Sequence, residues 1–192
     1  HDPLLRQVLP LSEEEGAAPG FVSDPLEEAS ALATTGLIRK YHSRALLMVT
    51  GQCAINCRYC FRRHFPYADH RLSPRQRAEV IDSLAASPEI NEVIFSGGDP
   101  LAVSDRLLAQ WANAVSGLPH IRRLRLHTRQ PVVLPARVDT GLLEWLGGTR
   151  LATVVVWHLN HAREIDAEVA AAAGRLREAG ATQLNQAVLL AG

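Results

Sequence analysis

The sequence is almost without lysine. Of its twenty basic residues one, Lys40, is a lysine and the rest are arginines. It also lacks a surplus of either charge, since twenty basic and twenty acidic side chains cancel. Nucleic-acid binding would show as a clustered basic excess, and none follows from this balance. No apolar run reaches the ~18 residues that a membrane span needs. The stretch His1 to Leu11 is polar and interrupted by Pro3 and Pro10, unlike a secretory leader. Cysteine is scarce: three residues, an odd number, all between positions 53 and 60. Secreted disulfide frameworks use an even, dispersed set. The cluster points instead to a metal site in a reducing compartment, hence the cytoplasm.

What is present suits one domain with a real core. The chain has 192 residues, of which 47% are apolar, too many for a disordered segment. It begins at His1 rather than Met and stops at Gly192, just after the apolar run Ala187-Val188-Leu189-Leu190. That reads as a piece of a longer protein.

Residues 1–44 carry Pro3, Pro10, Pro19 and Pro25 and the acidic run Glu13-Glu14-Glu15. They read as an irregular lead-in with at most one short helix, around Glu27 to Ala33. From residue 45 to 192, apolar runs of strand length alternate with segments of helical period. The expected strands are Ala45–Thr50, Glu92–Ser96, Arg123–Thr128, Thr153–His158 and Gln183–Leu190. The first expected helix opens at Ser73-Pro74, with Ala78, Ile81, Leu84 and Ala85 as its apolar face. The second opens at Ser104, turns Leu107, Leu108, Trp111 and Val115 inward, and stops at Gly117. A third starts at Asp139 with Leu142, Leu143 and Leu146 inward. A fourth runs from about Glu164 to Ala179 with Ile165, Val169, Ala172 and Leu176 inward. Such alternation implies parallel strands joined by crossovers. About five strands are too few for a closed barrel, so a partial (β/α) parallel barrel is expected.

In such folds function gathers at the C-terminal ends of the strands. Here Thr50 leads to the cysteines, Phe95 to Ser96-Gly97-Gly98-Asp99, and Leu126 to His127-Thr128-Arg129. Val156 leads to His158, Asn160 and His161, and the last strand carries Asn185 and Gln186. Cys53-x3-Cys57-x2-Cys60 is a spacing that lets one loop wrap an iron–sulfur cube. Four cysteines are the usual ligand set, so three leave one iron open to a chelating ligand. A Cys3His zinc site with His64 as fourth ligand is the alternative. Structural zinc ligands usually come in two separated pairs, which disfavours it.

The cysteine spacing, with Tyr59 before the last cysteine and a strand before the loop, resembles the radical S-adenosylmethionine superfamily motif. Further stretches are similar to the lysine 2,3-aminomutases. These are Lys40-Tyr41-His42-Ser43-Arg44, Cys60-Phe61-Arg62-Arg63-His64-Phe65, Ser96-Gly97-Gly98-Asp99-Pro100, Pro131-Val132-Val133-Leu134-Pro135, His158-Leu159-Asn160-His161 and Asn185-Gln186-Ala187-Val188-Leu189-Leu190. Asp2-Pro3-Leu4-Leu5-Arg6-Gln7-Val8-Leu9 and the following Pro66-Tyr67 resemble the bacterial branch that makes (R)-β-lysine for modification of elongation factor P.

The resemblance implies an isomerase with three cofactors: a [4Fe–4S] cluster, S-adenosylmethionine (SAM) and pyridoxal 5′-phosphate. An electron donor such as flavodoxin or ferredoxin would reduce the cluster. SAM would then yield a 5′-deoxyadenosyl radical, and lysine held on pyridoxal phosphate would move its amino group from C2 to C3. Cys53, Cys57 and Cys60 match the cluster ligands. Tyr59, Ser96, Gly97, Gly98, Asp99, His158 and Gln186 match SAM contacts, with Asp99 a candidate partner for the methionyl ammonium. Tyr41 and Arg44 match pyridoxal phosphate contacts, and Lys40 less closely. Arg62 matches the arginine that holds the substrate carboxylate. Arg58 and Arg63 are alternatives that would steady the loop, and His127 and Arg129 carry no role. The resemblance also implies a functional link to elongation factor P and its lysyl-transferase. A glutamate aminomutase is the alternative within the same chemistry. One departure stands out: nothing here matches the family's Schiff-base lysine or its downstream acidic residues. The chain alone is therefore expected not to complete the reaction.

Overall fold

The computed structural model describes residues 2–16, 19–20, 22–70 and 72–189. Seven strands form one sheet in the order in which they occur in the chain. β1 (Leu32–Thr34), β2 (Leu37–Tyr41) and β3 (Arg44–Thr50) form an antiparallel meander. β4 (Glu92–Gly97), β5 (Arg123–Thr128), β6 (Ala152–Trp157) and β7 (Thr182–Asn185) then add in parallel. The crossovers hold α1 (Pro74–Ala85), α2 (Asp105–Ser116), the short α3 (Gln130–Val133), α4 (Thr140–Gly148) and α5 (Ala167–Glu178). The sheet stays open, with β1 and β7 as its edges. This is the α/β architecture of a partial barrel.

The lead-in is less irregular than its composition implies. Its expected helix is only a one-turn 3-10 segment, Ala29–Ala31, and the hairpin of β1 and β2 follows. Gly36, at φ 78°, makes the tight turn between these strands. The sheet therefore has seven strands where five were expected.

Alternation along the parallel strands divides the sheet into two faces. Ala45, Leu47, Val93, Phe95, Leu124, Leu126, Val155 and Trp157 pack in one core with Leu84, Leu108, Trp111, Val115, Leu142, Leu146, Val169 and Leu176 of the helices. Phe95, Leu124 and Leu126 are fully buried there. The opposite face carries the register row Leu46, Ile94, Arg125, Val154 and Thr182. Met48 and Ser96 pair one row above it, as do His127, Val156 and Leu184. This second face mixes charge with apolar surface and ends at the rim that bears the cysteines.

Local capping explains the helix limits. Ser73 accepts from the Gln76 amide at the start of α1, and Asp139 from Leu142 at the start of α4. Three details differ from the expected elements. The buried face of α1 is Val80 and Leu84, while Ala78 and Ala85 are exposed. The α5 cap is Asp166, which accepts from the Val169 amide, so Glu164 precedes the helix and Ile165 is exposed. Finally, β7 ends at Asn185, whose side chain exchanges two hydrogen bonds with the Leu159 backbone. The run 186–189 is exposed and Leu190 lies outside the described residues.

Candidate functional site

β3 delivers the chain at Thr50 into the loop that holds the cysteines. Two tight backbone contacts set where that loop begins. The Gly98 amide donates to Thr50 O at 2.7 Å and the Asp99 amide to Gln52 O at 2.7 Å. A Cβ on Gly97 would lie 2.3 Å from Thr50 O, and one on Gly98 would lie 2.3 Å from Gln52 O. Gly97 also has φ 118°. Both positions require glycine for the approach of the β4 end to the loop, before any ligand is considered.

Cys53 and Cys60 are exposed and Cys57 is half-buried. Partial burial of its sulfur, then the Asp99 carboxylate and the other two sulfurs, push the Cys53 thiol up to about 12. Burial likewise raises Cys57, and the Arg129 cation opposes that rise. Free of metal, Cys53 and Cys57 are protonated thiols, and metal binding would release their protons. Among the described residues, no three His, Cys, Asp or Glu side chains are gathered for one metal ion, so the Cys3His site through His64 has no preformed ligand set. A cubane cluster makes a different demand, because each thiolate meets its own iron. Three thiols of one loop, open to one side and beside a cation, fit that demand.

Asp99 is buried and fully engaged. Its carboxylate accepts from the Leu101 amide (2.9 Å), the Thr128 hydroxyl (2.6 Å), the Arg129 amide (2.7 Å) and the Gln130 amide (2.8 Å). Four bonds fill an ionised carboxylate. Here Asp99 ties the β4 end to the β5 end, with no lone pair left for an ammonium ion.

Arg62 is similarly bound. It forms a buried bidentate pair with Glu28, at 2.7 Å from Nε and 2.6 Å from Nη2. Its Nη1 donates to Ser96 Oγ at 2.9 Å and to Gly97 O at 3.4 Å. A substrate carboxylate would meet the guanidinium fork only by displacing Glu28 or the Ser96–Gly97 pair. Tyr67 donates its hydroxyl to Gly97 O at 2.6 Å.

A second network covers the other side of the loop. Gln7 Oε1 accepts from Arg129 (2.9 Å), Asn160 (3.1 Å) and Tyr59 (3.3 Å). The Tyr59 hydroxyl also accepts from the Asn160 amide group. The Arg58 amide donates to Gln7 O at 2.9 Å. Arg58 and Arg63 both pair with Glu14, so they steady the loop against the N-terminal segment. Arg129, buried, donates to Glu164 at 2.7 Å and to Cys57 Sγ at 3.7 Å. Glu164, Gln7 and Glu28 were missed from sequence because their partners lie far along the chain.

His127 and His158 meet edge to face at 5.8 Å on the same rim. Burial, and then the nearby His158, holds His127 below the usual imidazole range at about 4, and burial lowers His158 against the opposing pull of the Asp99 carboxylate. Both are neutral at pH 7. Each has a buried Nε2 without a hydrogen-bond partner among the described residues, which is what a ligand-facing imidazole looks like before its ligand arrives. Gln186 is exposed and lies near His127.

Tyr41 and Arg44 lie elsewhere. They sit at the opposite end of β3, with the Arg44 guanidinium 5.1 Å from the centre of the Tyr41 ring. The six steps from Arg44 to Thr50 span about 20 Å of strand. Arg44 shares a register row with buried Glu92 and with Arg123. Glu92 accepts from both Arg123 and Arg125. A site that includes both groups of residues would run the length of the helix-free face. Lys40 donates its ammonium to Leu26 O.

The family model described as "Radical SAM superfamily" matches residues 47–139. That segment contains the cysteine loop, Ser96–Asp99 and Arg129. Residues 47–139 carry a radical SAM superfamily segment. The chain is similar to three proteins named L-lysine 2,3-aminomutase. It is 50% identical to that of Escherichia coli (strain K12), over 98% of this chain and 55% of that protein. It is 48% identical to that of Haemophilus influenzae and 46% identical to that of Buchnera aphidicola, over 100% of this chain and 56% of each protein. The chain spans about half the length of the curated relatives it matches. No helix among the described residues is long and apolar enough to cross a membrane.

Proposed function

We propose that this chain is the cluster-bearing part of a lysine 2,3-aminomutase, an isomerase that converts L-lysine to (R)-β-lysine. The observation that carries the reading is the loop of Cys53, Cys57 and Cys60 at the C-terminal end of β3, pinned by Gly97 and Gly98 and flanked by Arg129. When bound, a [4Fe–4S] cluster, SAM and pyridoxal phosphate would supply electron transfer, radical generation and the carrier for the migrating amino group. The residues of the chain bind, orient and shield.

In this reading the three cysteines hold the cluster through their thiolates. The strand end at Ser96, Gly97 and Gly98, packed against the start of the cysteine loop, would hold SAM. Asp99 serves that site indirectly, by fixing the rim. His127 and His158 are neutral and keep Nε2 free for a polar ligand group, with Gln186 near His127. Tyr59 lies between the loop and the second network, within reach of an aromatic ring. Arg62 takes the carboxylate of lysine in exchange for Glu28. Tyr41 and Arg44 at the far end of the face take the phosphate of pyridoxal phosphate, for which a guanidinium fork is suited. The residues fit the phosphate end only. Lys40, the sole lysine, donates to Leu26 O, and no other lysine side chain is present in this sequence for a Schiff base. A low-potential donor such as flavodoxin or ferredoxin supplies the electron. The product serves elongation factor P modification in the cytoplasm, through that factor's lysyl-transferase. Units divide at residue 44, the lead-in serving as a cover and 45–192 as the radical SAM core.

Anaerobic reconstitution tests the reading. The chain should turn brown and hold about four irons and four sulfides, and should cleave SAM when reduced. Alanine at any one of the three cysteines should abolish both. A colourless, zinc-bound product would sink the reading. Lysine turnover by this chain alone would refute the assignment of the Schiff-base lysine to a part outside it.

A further inference from the structure

We infer that Arg129 is a positioning residue for the iron–sulfur centre, holding the Cys57 sulfur by a charged N–H···S hydrogen bond and so raising the centre's reduction potential. The inference rests on the cluster reading above and deepens it.

Three observations carry it. First, Arg129 is only 8% exposed, and its Nη1 lies 3.7 Å from Cys57 Sγ, within range for a bond to sulfur. Second, the side chain is fixed from several directions. Nη2 binds Glu164 at 2.7 Å and Gln7 at 2.9 Å, and the guanidinium lies 5.6 Å from the centre of the Tyr59 ring. Its own amide is held by Asp99 at 2.7 Å. Third, the other arginines of the loop are directed elsewhere. Arg58 and Arg63 turn to Glu14, and Arg62 to Glu28.

The physical consequence is one of charge. Three thiolates around a [4Fe–4S] core in its 2+ state carry a net charge of about −1, and one added electron makes it about −2. A fixed cation against one thiolate favours the more negative state, as do hydrogen bonds to cluster sulfur. Glu164 offsets this only in part. Its other oxygen accepts from the Asn160 and His161 amides at 2.7 and 2.8 Å, which draws its charge away from the loop. The electron itself comes from an external one-electron reductant, and no bond in the protein breaks.

The test is the midpoint potential of the reconstituted chain, followed by electron paramagnetic resonance during reductive titration. Arg129→Met should lower the reduction equilibrium constant at least tenfold, about 59 mV for one electron, with iron and sulfide content unchanged. Arg129→Lys keeps the charge and should stay within threefold of the parent. Arg129→Met leaves Glu164 unpaired, so R129M/E164Q repeats the test with no change in net charge. It should also lower the constant, by less than the single variant. An unchanged midpoint in both methionine variants overturns the inference. So does loss of the centre from both, since Arg129 would then be a structural tie. A parent chain that holds no iron removes the functional reading and this inference together. A parent with its centre and indifferent variants removes the inference alone.

Discussion

The Glu28–Arg62 pair is the most informative bond to break. Both side chains are nearly inaccessible, at 5% and 7% exposed. Glu28→Gln keeps size and shape but leaves a buried guanidinium without its counter-charge. Removing one partner of a buried ion pair costs about 3–5 kcal/mol, because the stranded charge has lost both water and partner. A domain of this size is stable by roughly 5–15 kcal/mol, so a large share would go. With a urea dependence of about 2 kcal/mol per molar, the unfolding midpoint should fall by about 2 M. The double variant Glu28→Gln with Arg62→Met removes the charge as well as its partner and should recover more than half of the loss. Urea unfolding followed by tryptophan fluorescence measures all three proteins. A fall below about 0.5 M for Glu28→Gln would show that Glu28 does not hold Arg62 as described. So would a double variant no better than the single one.

Gly98→Ala should displace the loop from Gln52, because its Cβ has no room at 2.3 Å from a backbone oxygen. The expected cost is about 1–3 kcal/mol, seen as a lower melting temperature, together with reduced iron content after reconstitution. Asp99→Asn exchanges one acceptor oxygen for a donor facing N–H or O–H groups. It should destabilise by about 2–3 kcal/mol in chemical denaturation. His127 gives a pH signature. Its folded pKa lies near 4, below its value in the unfolded chain. Its contribution is therefore complete above about pH 6.5 and is lost as pH falls toward 4, by about 3 kcal/mol in all. His127→Asn should flatten the loss of stability between pH 6.5 and 4, measured by urea midpoints across that range.

Much of the fold was legible because local signals agreed with the tertiary outcome. α2 shows it best. Its Leu108, Trp111 and Val115 repeat on one face, and all three are buried against the sheet. The cysteine loop was legible for a different reason: its spacing is compact and its chemistry narrow. The hairpin of β1 and β2 was not, since proline and acidic residues around it masked a short alternation and the Gly36 turn. α1 misled because its alanines mimic an apolar face that Val80 and Leu84 actually provide. The deepest misses were partners. Gln7, Glu28 and Glu164 look like ordinary solvated polar residues, and only the folded chain brings them to Arg129 and Arg62. The same holds for Asp99, whose carboxylate accepts from the Thr128 hydroxyl and the amides of Arg129 and Gln130, 29 to 31 residues further on.

The bonds of Gln7 also carry an implication about time. They join residues 122 and 153 positions away, on Arg129 and Asn160. Closing so long a loop costs entropy before any contact repays it. The N-terminal strap thus gains its hold on Arg129 and Asn160 only after β5 and β6 are in place. Until that closure the Arg129 side chain beside Cys57 lacks its tie to Gln7. Cys53 and Cys60 stay exposed in the folded chain, so iron and sulfide can reach the loop before or after that tie forms.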